Sequence, residues 1–200
     1  MCLLLLRRLG AALLFLSLPA LWAQSREVGI GAPAAWAEPL PLPADAKVPE
    51  ASVEQHYLLF ETQTHVAERG FYRHVAYRIL NEGGLRYGAQ LNIPFDPSYQ
   101  TLTLHQVRIV RDGASIDRLD RAKLQVLQRE SDLEYLLYDG SLTAHLILDD
   151  VRVGDVVEYS FTRSGTNPVF GDRYLDDLSL GWGSPVSHLR HRVIMPAART

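Results

Sequence analysis

Cysteine is almost missing from these 200 residues: the single one is Cys2, at the extreme N-terminus. Once the leader described below is removed, the rest of the chain has no disulfide, no thiolate metal ligand and no sulfur nucleophile. Papain-type chemistry needs a thiolate activated by a neighbouring histidine and is therefore excluded for this segment. Clustered positive charge is missing as well. No basic run follows residue 23 and the formal net charge is −3, which argues against nucleic acid as a partner, because phosphate binding is driven by clustered Lys and Arg. With 14 glycines and 11 prolines the chain is neither collagen-like nor of low complexity. Its 47% hydrophobic and 22% charged residues are those of an ordinary globular protein long enough to bury a core.

The one long apolar stretch follows Arg7-Arg8 and runs from Leu9 to about Ala23, ending in Pro19-Ala20-Leu21-Trp22-Ala23. It falls short of the roughly 18 residues that a spanning helix needs and reads as a secretory signal peptide over residues 1–23, so that membrane contact is confined to export. Leu21 sits where a small residue is commoner, and the arginine pair also fits a twin-arginine signal. The expected location is periplasmic or secreted, and any lasting membrane anchor would have to come from segments outside this sequence. Residues 24–50 form a Pro/Ala-rich extended linker. Pro33, Pro39, Pro41, Pro43 and Pro49 remove ladder donors and hold the residues before them extended, while Trp36, Leu40 and Leu42 are candidates to dock on the domain that follows.

From Ser52 the dominant period is two, the signature of strands. Tyr57-Leu58-Leu59-Phe60 is apolar on both faces. Phe71, Val75, Tyr77 and Ile79 share one face, with Tyr72, His74 and Arg78 on the other. Asn81-Glu82-Gly83-Gly84 reads as a turn. Leu91, Ile93 and Phe95 alternate, and Pro94 makes their strand an edge. Leu102 and Leu104 are out of phase with Val107 and Ile109, which marks a β-bulge. Arg111-Asp112-Gly113 closes a tight turn. Further strands are expected at 124–127, 142–148, 156–162 and 189–195, the third with Val157, Tyr159 and Phe161 inside and Val156, Glu158, Ser160 and Thr162 outside. A single helical turn near Asp120–Leu124 is the most that the region around it supports. The architecture expected for residues 51–200 is an all-β antiparallel β-sandwich, incomplete at its C-terminus.

These segments also carry a family likeness. Tyr77-Arg78-Ile79-Leu80-Asn81, Phe95-Asp96-Pro97-Ser98-Tyr99-Gln100, Leu104-His105, Arg111-Asp112-Gly113, Leu137-Tyr138-Asp139-Gly140, Val151 to Tyr159 and Gly165-Thr166-Asn167-Pro168 stand in an order that resembles the uncharacterised N-terminal domain found ahead of transglutaminase-like domains in exported bacterial proteins. The resemblance spans roughly residues 50–200. It implies a β-rich, noncatalytic module whose partner is a downstream transglutaminase-like, papain-like domain of the same polypeptide. The catalytic Cys, His and Asp of such proteins belong to that later domain, so none is carried onto this chain. The chain is then an N-terminal fragment, not itself an enzyme.

Two other functional classes compete. Tyr138, Phe170, Tyr174 and Trp182 lie near polar loops and could stack on a peptide or glycan, as in a stand-alone binding sandwich; the glycines flanking Trp182 would let a partner approach closely. A hydrolase would draw its two carboxylates from Asp149, Asp150, Asp155 and Glu158, or from Asp172, Asp176 and Asp177, although turn aspartates explain most of these more simply. No metal or cofactor is expected. Of the seven histidines only His188 and His191 are close, and residues three apart on a strand point to opposite faces.

Overall fold

The computed structural model describes residues 27–43, 53–128, 140–171, 173–175, 181 and 183–197. The segment assigned to the signal peptide, and with it Tyr138 and Trp182, lies outside the described residues. No helix among the described residues is long and apolar enough to cross a membrane.

Among the described residues ten strands build two layers. The strands are β1 (Gly29–Ile30), β2 (Gln55–His65), β3 (Gly70–Ile79), β4 (Gln90–Phe95), β5 (Thr101–Arg111), β6 (Ala114–Asp117), β7 (Gln125–Gln128), β8 (Leu142–Ile147), β9 (Val156–Ser164) and β10 (Leu189–Ile194). The larger sheet runs β1-β5-β9-β3-β2-β10, with β6 added to β5 as a hairpin, and the smaller runs β4-β8-β7. This is the expected sandwich. Its interior pairings are antiparallel, while the two outer ones, β1 on β5 and β10 on β2, are parallel.

Alternation explains which side of each strand is buried. Val75, Tyr77 and Ile79 of β3, Val107 of β5 and Val157 of β9 meet Leu91 of β4 and Leu146 of β8 between the layers. Toward the other end Leu102, Leu104 and Phe161 meet Ile93, Phe95, Leu142 and Ala144. The phase change in β5 is a bulge: its register against β9 shifts between Leu104 and Gln106, which returns Val107 and Ile109 to the same core as the leucines before them. Asp112 and Gly113, with φ of 50° and 79°, form the two-residue hairpin turn between β5 and β6. Pro94 sits on β4, an edge of the small sheet, where its missing N–H breaks no second ladder. The helical turn near residue 120 is a 3-10 turn over Arg121–Lys123.

Two local expectations differ from the structure. Residues 82–84 open a short helix, α1 (Glu82–Gly88), instead of a turn. Asn81 accepts from the Gly84 N–H at 3.0 Å, the same local bond a turn would use, and the helix continues because Leu85 packs on the core behind it. The polar face of β9 is also not outside. Glu158, Ser160 and Thr162 are buried, Glu158 against His74, Gln106 and Arg108, Ser160 against Tyr72 and Thr162 against His105. Further along this face of the large sheet Leu40 and Leu42 pack on the cluster of Leu58, Leu59, Ala76 and Val156.

Candidate functional site

A groove of about 880 Å³ opens at the end of the large sheet, among the β2–β3 turn, the loop before β5 and the segment after β9. That volume is in the range of ligand sites, roughly 300–1,000 Å³. Local chemistry shapes each wall. The loop before β5 is a turn in which Asp96 Oδ1 accepts from Ser98 N at 2.9 Å and Gln100 N donates to Asp96 O at 2.7 Å, which sets Tyr99 at the rim. Burial and the Asp96 carboxylate raise the Tyr99 pKa, keeping the phenol protonated. After β9 the chain turns at Gly165, with φ of 109°; any Cβ there would collide with the Tyr99 carbonyl, so the two walls approach only because this residue is glycine. Asn167 then caps the 3-10 turn Pro168–Phe170, accepting from Val169 N at 3.0 Å.

The floor is aromatic and cationic. Arg73 lies 5.0 Å from the Phe71 ring centroid and 5.1 Å from that of Phe60, and Arg163 lies 4.7 Å from Phe71. Stacking of this kind orients a guanidinium by its flat face, and Arg163 Nη1 also donates to the Pro94 carbonyl at 3.4 Å. Arg69 and Arg173 add two more cations, and none of the described lining residues is acidic. Of the four aromatic residues singled out from the sequence, Phe170 and Tyr174 both line this groove; Tyr138 and Trp182 lie outside the described residues. The arginines were missed. Their signal was present, since Arg73 stands between Phe71 and Val75 on an otherwise apolar face and Arg163 follows Phe161 on the same face of β9.

Of the carboxylates weighed for hydrolysis, Asp172, Asp176 and Asp177 lie outside the described residues, and the other four are held by partners of their own. Arg111 grips Asp155 through Nε at 2.8 Å and Nη2 at 2.7 Å, and also reaches Asp150. Lys123 pairs with Asp149. Glu158, 1% exposed, accepts from Arg108 Nε at 2.7 Å and from His74 Nε2 at 2.9 Å. These hydrogen bonds hold all four acids below the usual carboxylate range, opposite to the raised pKa a glycosidase acid requires.

His74 continues inward as a buried bridge. Its Nδ1 faces Glu61 Oε2 at 3.3 Å, so the imidazole joins two enclosed carboxylates and donates from both nitrogens. Burial pushes its pKa down, but the bonds to Glu158 and Glu61 outweigh this and the net shift is upward. Five of the other six histidines have structural partners too: His56 with Ser187, His65 with the Glu68 N–H, His105 with Gly31 and Thr162, His145 with Asn92, and His191 with Thr62. No three His, Cys, Asp or Glu side chains gather into a metal site among the described residues.

Comparison with known proteins places the fold. Residues 67–200 match the family described as "Domain of Unknown Function with solved-structure structure (DUF3857)". A crystal structure from Parabacteroides distasonis ATCC 8503 at 2.00 Å resolution, described as that of a "putative protease", is similar with a TM-score of 0.50 and 12% identity, over 58% of this chain and 24% of that one. The chain thus spans about a quarter of that protein's length, and the likeness is one of fold. No curated protein matches the chain.

Proposed function

The chain belongs to the DUF3857 family, and on that premise we propose that it is a noncatalytic interaction module of an exported protein, seating a segment of a transglutaminase-like domain of the same polypeptide. The observation that carries this reading is the groove, where Phe170 and Tyr174 stand over a floor of ring-stacked guanidinium groups. Aromatic and arginine side chains are those that dominate binding energy at interfaces, and a guanidinium has five donors with which to hold several carbonyl or carboxylate acceptors at once. The fold neighbour lends support, because there a module of this shape accompanies a much larger remainder in a protein described as a "putative protease". The leader at residues 1–23 supports export, to the periplasm or beyond.

The parent gene gives the first check: its frame should continue past residue 200 into a mixed α/β region with Cys, then His, then Asp. Given that region, Arg73→Glu with Arg163→Glu should abolish co-purification of the two parts when they are expressed as separate chains. Undiminished association would overturn the groove as the contact. The exposure of Phe170 also favours a second reading, a stand-alone peptide- or glycan-binding sandwich. It predicts measurable affinity of the isolated chain on a glycan or peptide array, and a blank array removes it.

A further inference from the structure

Residues 36–43 lie along the large sheet without joining its ladder. A lone extended segment on a protein surface must still satisfy its backbone donors and acceptors. Here the sheet supplies side chains for that purpose. The N–H groups of Glu38 and Leu40 donate to Gln63 Oε1 at 3.1 Å and to Glu61 Oε2 at 3.0 Å. The Glu38 carbonyl accepts from Gln63 Nε2 at 2.8 Å and from Arg190 Nη1 at 2.9 Å, and the Trp36 carbonyl accepts from Arg192 Nη1 at 3.0 Å. At positions 39, 41 and 43 there is no N–H to satisfy, because each is proline.

The match is one of pattern. Prolines alternate with residues whose main chain or side chain faces the sheet: Pro39 and Pro41 are exposed, and Leu40 and Leu42 pack inward. Pre-extended proline-rich backbone loses little entropy on docking, which is why such segments recur as ligands. One end is keyed by shape, since the Trp36 ring lies where a Cβ on residue 70 would come within 2.6 Å of it, and residue 70 is glycine. Gln63 and Glu61 are wholly buried beneath the segment, so the polar groups that receive it belong to the sheet's fixed interior.

We infer that this face of the sheet is a recognition cleft for an extended polypeptide with proline at alternate positions, an acidic residue before the first proline and leucines between the prolines. The chain's own residues 36–43 fill the cleft and compete with any outside segment of that pattern. The cleft meets the groove at Gly70 and His65, where Trp36 packs. The bonds that define it lie on Glu61, Gln63, Arg190 and Arg192, and its existence does not rest on the function proposed for the groove.

The experiment uses the full chain with a protease recognition sequence placed between residues 43 and 53, which can be nicked after folding without touching any of the contacts above. The probe is a fluorescent peptide of residues 34–43. Before the nick it should bind weakly, because the tethered segment holds the cleft. After the nick it should exchange into the protein and co-migrate with it, with apparent affinity increased by about tenfold or more. In the uncut chain, Leu40→Asp should raise affinity for the same probe in the same sense. Gln63→Leu in the nicked protein should cut binding by about tenfold. A concentration-dependent dimer that exchanges the segment between copies supports the cleft equally, since the same pattern then fills it. Absence of exchange in the nicked chain overturns the inference. So does binding that is indifferent to Gln63→Leu, or a probe with alanine at 39, 41 and 43 that binds as well as the original.

Discussion

Replacing His74 by leucine removes the one group shared by two buried carboxylates. In the native protein its two ring nitrogens reach Glu158 at 2.9 Å and Glu61 at 3.3 Å. Breaking a buried ion pair by deleting one partner costs about 3–5 kcal/mol. Each acid keeps an arginine here, Arg108 for Glu158 and Arg190 for Glu61, so the expected loss is at the lower end, about 3 kcal/mol. For a domain of this size that corresponds to roughly 6–12 °C in Tm. Urea unfolding of wild type and variant at two pH values measures it and adds a directional test. The folded-state pKa of His74 is raised above its unfolded value near 6.5, so its stabilisation is fully present below that value and is lost as pH rises through the folded pKa. Glu61 and Glu158 are shifted the other way: their contribution is present above the ordinary value of 4.5 and is lost as pH falls through the depressed ones. The deficit of the variant is therefore greatest between about pH 5 and 6.5 and narrows as the pH rises through the raised folded-state pKa of His74. A deficit equal at both ends, or one below about 1 kcal/mol, refutes the charged bridge.

Leu59→Ala empties a fully buried site beneath the docked segment and should cost about 2–5 kcal/mol in a denaturant titration. Gly165→Ala meets both an unfavourable φ and the Tyr99 carbonyl; thermal unfolding should show a loss above about 2 kcal/mol. Phe170→Ala should leave stability within about 0.5 kcal/mol of wild type, because the ring is 47% exposed, while weakening association with the downstream domain by about tenfold. A large drop in Tm would instead mark Phe170 as a structural residue.

The layers were legible because a two-residue period survives wherever one strand face is apolar. The bulge in β5 was readable for the same reason: Leu102 and Leu104 fall out of step with Val107 and Ile109, and only an extra residue brings both pairs to one core. The second face of the large sheet was not. Glu158, Ser160 and Thr162 are polar at alternate positions, which ordinarily means water, and nothing local announces that His74, Gln106, Arg108 and His105 of the neighbouring strands enclose Glu158 and Thr162. Burial there is a tertiary fact, set by side chains far apart in sequence. The same holds for the groove. Phe170 and Tyr174 could be picked out as aromatics beside loops, but Arg73 and Arg163 become site residues only once β3 and β9 are neighbours and share the Phe71 ring. Asn81 was ambiguous in kind, since one side-chain bond begins either a turn or a helix.

The parallel seating of β10 on β2 sets an order of assembly. A hairpin such as β2–β3 closes within a few residues, whereas the Arg190 to Glu61 contact spans 129 positions and the Arg192 to Trp36 contact spans 156. Loop-closure entropy makes such distant joins slow to form. Arg190 and Arg192 are also what clasp residues 36–38, so the amino-terminal arm gains its full anchorage only after β10 has arrived. Until then a newly made chain exposes both an unfinished sheet margin and an unclasped arm, and hydrogen exchange during refolding should see those two regions gain protection together, after the central strands.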